Sequence, residues 1–308
     1  MSERYEIAGR TVLVTGAARG IGAGAAERLH ARGANVALDG LEPALLEERA
    51  ARLGERASFH EADVTDLGAL ERAVEDTISR FGGIDVAIAN AGIAFSGGLA
   101  TAPVEQVERT LAVNLLGVWR TDRALIAEIE RRQGYLLNIS SLSAVAHAAL
   151  MGPYTAAKAG VEALTDALRM EARPSGARVG CAYFGFIDTD LVRASFAARS
   201  TSGLIDSMPG FMRRAAPLER AIDTIERGVV RRADRVWYPR WAGAMIALRG
   251  VTQPLSERRV FGEPERLRVA MREAAEEARS QDPILGVAAN ATAERTGAPG
   301  AARVSAPR

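Results

Sequence analysis

Lysine is nearly absent from this chain. Lysine and arginine together number 39 in 308 residues, and only Lys158 is a lysine; arginine carries every other basic side chain. Cysteine is equally scarce. Cys181 alone excludes an intramolecular disulfide framework and fits a reducing cytoplasm. The three histidines, His30, His60 and His147, stand far apart without metal-ligand spacing, so no metal is expected. No continuously apolar stretch reaches the roughly 18 residues that span a bilayer. The start, Met1 to Tyr5, lacks the basic and apolar sections of a signal peptide. Neither sign of charge is in surplus: 39 basic against 38 acidic residues leave +1, which argues against a nucleic-acid partner. The expectation is a cytoplasmic protein with no integral membrane segment.

What is present is concentrated around that one lysine. Lys158 stands four residues after Tyr154, and on a helix such positions share a face with their Cβ atoms roughly 5 to 6 Å apart. A compact ammonium next to a phenol favours the phenolate, turning a group that titrates near pH ~10 into a usable acid and base. A solvated helix face is the competing reading for an isolated Tyr-x-x-x-Lys.

Short apolar runs alternate with longer segments of helical period. Strands are expected at Thr11–Thr15, 35–39, 57–60, 84–89, 135–140, 178–183 and 235–238. Helices are expected near 23–32, 43–53, 67–80, 103–131 and 153–172. Unalternating apolar strands suit a sheet covered on both sides, so the fold class is α/β with a doubly wound parallel sheet. Residues 1–250 are expected to form one dinucleotide-binding and catalytic domain, with a substrate-covering insertion at about 191–217. A charged helix entered through Pro264 belongs to a helical extension over 251–287, and the Ala, Gly, Thr and Pro-rich stretch 288–308 reads as a poorly ordered tail.

Directly after the first strand comes Thr15-Gly16-Ala17-Ala18-Arg19-Gly20-Ile21-Gly22, opening into a helix. Glycines there let backbone approach a pyrophosphate, and the helix N-terminus supplies free N–H donors. Asp39, about 20 residues on, is the candidate for the ribose hydroxyls of NAD, and capping of the next helix is its rival role. Arg19 could contact the 2′-phosphate of NADP, but no basic residue between Asp39 and Pro43 helps it. NAD is therefore favoured, with NADP not excluded.

With Asp63-Val64 after the third strand, Asn90-Ala91-Gly92 after the fourth, Asn114 in a helix, Ser141, and then Tyr154-x-x-x-Lys158, residues 8 to 190 resemble the short-chain dehydrogenase/reductase family. The resemblance implies a Rossmann fold with helices on both faces. It makes Tyr154 the proton donor and acceptor at the substrate oxygen, with Ser141 hydrogen-bonding the same oxygen. It makes Lys158 lower the Tyr154 pKa and hold the nicotinamide ribose, and it has Asn114 position a water linking Lys158 to solvent. Asp63 and Val64 would contact adenine, although an Asp after a strand is also a common turn residue. Asn90, Ala91 and Gly92 would flank the cofactor, Thr189 would grip the nicotinamide carboxamide, and Ile187 would add a backbone contact. Ser140 competes with Ser141; strand alternation sends the two to opposite faces, and the family spacing selects Ser141.

Two departures stand out. Phe184-Gly185 replaces the usual Pro-Gly, and the glycine-rich ending is replaced by Arg235 to Trp241 and a long extension, which puts the usual tetramer in question. A homo-oligomer, dimer or tetramer, is still expected. The function expected is NAD(P)-dependent oxidoreduction of a secondary alcohol or ketone, bulky and apolar if Leu142, Ala144, Val145, Ala148, Leu150, Phe184, Phe186 and the Phe- and Met-bearing insertion line the pocket. The alternatives are a 3-oxoacyl-thioester reductase and a non-catalytic dinucleotide-binding regulator.

Overall fold

A computed structural model describes residues 4–201, 205, 208–261 and 264–279. Seven parallel strands form one sheet in the order β3-β2-β1-β4-β5-β6-β7. They are β1 (Thr11–Thr15), β2 (Asn35–Gly40), β3 (Ala57–Glu61), β4 (Val86–Ala89), β5 (Tyr135–Ile139), β6 (Arg178–Phe184) and β7 (Arg235–Tyr238). All seven expected strands exist; β1, β2, β4, β5 and β6 are apolar runs buried between two helical layers, whereas the edge strands β3 and β7 are partly exposed. Strand order reverses between β1 and β4, and such a switch point opens a crevice at the carboxyl ends of the strands.

Leu13, Ala37, Ala87 and Leu136 feed one face of the core, under α3 (Leu67–Phe81), α5 (Gly117–Arg131) and α6 (Gly152–Ala172). Val12, Val14, Val36 and Leu38 feed the other, under α1 (Gly20–Ala31), α2 (Pro43–Leu53) and the helix Leu218–Arg231. Local chemistry sets several ends: Asp66 caps α3 by accepting from Ala69 N–H, Gly82 closes it in the left-handed region, and Pro43 opens α2. Asp85, buried between β1 and α5, is held by Arg10, Arg132 and the Thr11 N–H.

One expected element is broken. The helix foreseen over 103–131 is α4 (Val104–Leu111), a π-helical turn (Ala112–Leu116) and α5. Asn114 causes a local reason to wind differently: it donates to Ile93 O (2.7 Å) and accepts from Ile93 N–H (2.8 Å). After β6 come α7 (Asp190–Ala197) and a short helix Gly210–Arg213. Helices Ala242–Ala247, Arg249–Phe261 and Pro264–Arg279 follow β7. Residues 202–204, 206 and 207 of the expected insertion, and the expected tail 288–308, lie outside the described residues. Among the described residues no helix is long and apolar enough to cross a membrane, and no cluster of potential metal ligands occurs.

Candidate active site

A crevice of about 550 Å³ runs along the carboxyl ends of the strands. At its base Gly16 adopts φ +65, and a Cβ there would stand 2.8 Å from Ala91 Cα. A Cβ on Gly22 would stand 2.4 Å from the Gly16 carbonyl oxygen. The loop therefore folds down onto the strand ends as only glycine allows. Asn90 locks it by donating to Thr15 O (3.0 Å) and Gly16 O (3.2 Å), while the Thr15 hydroxyl accepts from the N–H groups of Asn90 and Ala91. Helix α1 begins at Gly20 without a side-chain cap and without an acidic residue in its first turn. Its leading N–H groups and partial positive charge are thus left for an anion, which is the fit a pyrophosphate requires.

Of the expected residues, Gly16, Arg19, Gly20, Ile21, Asp63, Val64, Asn90, Ala91, Gly92, Ser141, Tyr154, Lys158, Ile187 and Thr189 all line this crevice. Gly22, Asp39 and Asn114 do not. Gly22 acts underneath, through the close packing just described.

Asp39 is a correction. Its side chain is 1% exposed and bonded to His60 Nδ1 at 3.0 Å, on the face of β2 that carries Ala37. Burial pushes its carboxyl up, with the His60 hydrogen bond working against that. Neither is it the cap of α2; that position belongs to Glu42, whose carboxylate makes no cap bond. Glu42 instead joins Arg19 at 2.8 Å on the crevice wall. Between them Gly40 presents no side chain to the crevice. Glu42 went unnoticed in the sequence because a carboxylate before Pro43 reads as an ordinary helix start.

Asn114 is buried behind this wall, next to Gly92, and both polar atoms of its side chain bond to the Ile93 backbone. Asp63 accepts from the Thr65 N–H and hydroxyl, a turn that leaves it on the wall.

Tyr154 and Lys158 share one face of α6, with Lys158 Nζ 5.8 Å from the phenol ring centroid. Lys158 is 4% exposed and donates to Ile139 O at 2.8 Å. Loss of water lowers its pKa to about 8. Tyr154 departs from expectation in the protein alone: desolvation raises the phenol, and the hydrogen bond from Ser141 offsets this only in part. Ser141 and Ser140 do separate. Ser140 Oγ donates to Lys158 O at 2.9 Å, whereas Ser141 Oγ lies against the phenol and accepts from Ser143 N–H. Thr189 caps α7 through Val192 N–H at 3.4 Å.

The apolar lining is different from that expected. Leu142, Ala144 and Val145 turn away into a cluster with Tyr183 and Ala242, and Phe186 packs edge-on against Phe196. Phe184, one of the residues expected there, does face the crevice, with Leu191 and Val192 from the start of the expected insertion and Ile93, which was not foreseen.

A doubly wound parallel sheet with a glycine cradle at its switch point, and a tyrosine, lysine and serine alongside, defines the dinucleotide-dependent oxidoreductases as a class. The comparisons narrow this, since the family model for short chain dehydrogenases matches residues 10–200, and the chain belongs to that family. It is 31% identical over 196 residues to a D-beta-hydroxybutyrate dehydrogenase of Cupriavidus necator, covering 62% of this chain and 76% of that one. It is 34% identical over 184 residues to a 3-alpha-(or 20-beta)-hydroxysteroid dehydrogenase of Mycobacterium bovis, covering 59% and 71%. Among solved structures, a 3-ketoacyl-(acyl-carrier-protein) reductase from Brucella melitensis, complexed with NADH, superposes with a TM-score of 0.68 at 26% identity. That match covers 75% of this chain and 97% of the other.

Proposed function

We propose that this protein oxidises a secondary alcohol, or reduces the matching ketone, at the expense of NAD(H), with Tyr154 as the acid and base. The observation that carries the reading is the convergence of Tyr154, Ser141 and Lys158 in the same crevice as the Gly16–Gly22 cradle. The uncapped start of α1 and the loop around Gly16 would hold the pyrophosphate, Asp63 and Val64 the adenine, and Thr189 and Ile187 the nicotinamide end. A bound nicotinamide dinucleotide supplies or accepts the hydride.

The chain's own residues handle the proton. In reduction the Tyr154 hydroxyl donates to the substrate oxygen as negative charge develops there, and Ser141 donates a second hydrogen bond to that oxygen. With a pKa of about 8, Lys158 is a cation at neutral pH and stabilises the phenolate that remains. In oxidation the same phenolate takes the proton back. Leu191, Val192 and Phe184 would make the substrate end apolar.

Tyr154→Phe tests this. Turnover followed by nicotinamide absorbance should fall by about 10² to 10⁴, with NADH binding retained; unchanged turnover would remove Tyr154 from the mechanism. The related proteins act, by name, on a hydroxy acid, a steroid and an acyl thioester, so the substrate panel should span all three. NADH binding without turnover of any substrate would favour a regulator.

A further inference from the structure

Beyond residue 200 the family model no longer matches, yet that part of the chain reaches back to the active site. Leu150 is the meeting point. It lies in the segment that joins Ser141 to Tyr154 and has φ +64, a left-handed conformation that a side-chain-bearing residue keeps only when its surroundings enforce it. Two contacts enforce it. The Leu150 carbonyl accepts from Gly97 N–H at 2.8 Å. The side chain is buried against Ala270 and Ala274 of helix Pro264–Arg279, and these three form an apolar cluster of their own.

The same helix grips the opposite wall. Glu277 accepts from the Arg199 backbone N–H at 3.0 Å, two residues past α7, whose Leu191 and Val192 line the crevice. The neighbouring helix Arg249–Phe261 fixes the loop a second time. Gln253 accepts from His147 N–H at 2.8 Å, and Arg249 pairs with the buried Glu162 at 3.0 Å.

We propose that helix Pro264–Arg279 is a working part of the active site: Ala270 and Ala274 lock the left-handed turn at Leu150 and thereby fix Tyr154 relative to Ser141. Glu277 ties this turn to the wall along which substrate enters. Ala270, Ala274 and Leu150 are positioning residues and touch no reacting atom. The catalytic half of the proposal rests on the oxidoreductase reading; the locking half does not.

The test uses the full-length protein with Ala274→Glu, which drives a carboxylate into a contact 2% exposed. NADH affinity should be unchanged, because the cradle is built elsewhere. Hydrogen exchange at the Gly97 amide should quicken by about tenfold or more as the turn opens. The kcat should fall about 100-fold, the scale of an ångström-sized misplacement. Adding Leu150→Gly should then restore part of the Gly97 protection and of kcat, since glycine reaches a positive φ without steric cost. A lowered melting temperature with kcat and Gly97 exchange unaltered, or a loss of kcat that glycine does not rescue, would overturn the proposal. If Ala274→Glu does not fold, Ala274→Val is measured in the same way and with the same criteria. A wild-type protein that turns over no substrate, while Gly97 exchange responds as described, would defeat the oxidoreductase reading and leave the lock standing.

Discussion

Asp39 and Glu42 are three residues apart and face different worlds. Asp39 points into the protein toward His60, while Glu42 holds Arg19 on the crevice wall, at the end where the proposed reading seats adenosine. A 2′-phosphate arriving beside Arg19 would have to displace Glu42 and then lie next to its carboxylate, whereas a ribose diol can donate to it. Glu42→Gln should therefore shift relative affinity toward NADPH by about tenfold, or ~1.4 kcal/mol. Asp39→Asn should leave the NADH to NADPH ratio unchanged. Titration of both dinucleotides against both variants checks the pair of expectations; a shift confined to the Asp39 variant would restore it as the selector. The sequence held the clue to this reversal. Val36, Leu38 and Gly40 must share a face, so an acidic residue at 39 cannot.

Elements show the same division between local and tertiary signals. Strands β1, β2, β4, β5 and β6 were legible because burial on both faces writes itself as apolar runs, while the edge strands β3 and β7 are partly exposed and carry a weaker signal. The break in 103–131 was not, because the π-turn coincides with a tertiary contact, the Ile93 backbone captured by Asn114, which no local pattern announces. The glycine cradle, Ser141 and the Tyr154–Lys158 pair were legible as motifs, whereas the pocket-facing Leu191 and Val192 owe their place to how α7 returns over the crevice. Between α5 and β5 lies a buried polar link equally invisible in sequence. Asp122 accepts from Asn138 Nδ2 at 2.9 Å, and burial raises its pKa to about 8. Its Oδ1 and the Oδ1 of Asn138 have no partner, as suits a protonated acid facing an amide. The folded state then binds a proton that the unfolded state has lost above pH ~4. From there to about pH 8 this group lowers stability as pH rises, by up to ~1.4 kcal/mol per pH unit. Asp122→Asn should flatten that slope in urea melts between pH 5 and 8; an unchanged slope would mean Asp122 is ionised in the fold.

At the scale of the whole molecule, two helices of one layer that lie far apart in sequence are joined by arginine. Arg28 on α1 bonds Asp223 (2.7 Å), Glu226 (2.8 Å) and Glu219 (2.8 Å) on helix Leu218–Arg231, while Gly24 admits Ile222 beneath. Arg28→Ala would leave these carboxylates repelling one another at a half-exposed seam. Thermal unfolding should show a loss of about 1 kcal/mol at low salt that shrinks as salt rises. A salt-independent loss would point to packing of the arginine stem instead.

Arginine can serve such seams everywhere, which leaves Lys158 as the one side-chain amine, enclosed by the crevice it serves. Reductive methylation with a carbon-13 reagent would therefore place a single resonance from any side-chain amine inside the reaction chamber. Its chemical shift would report entry of dinucleotide, and its titration would follow the one side-chain ammonium without any engineered label.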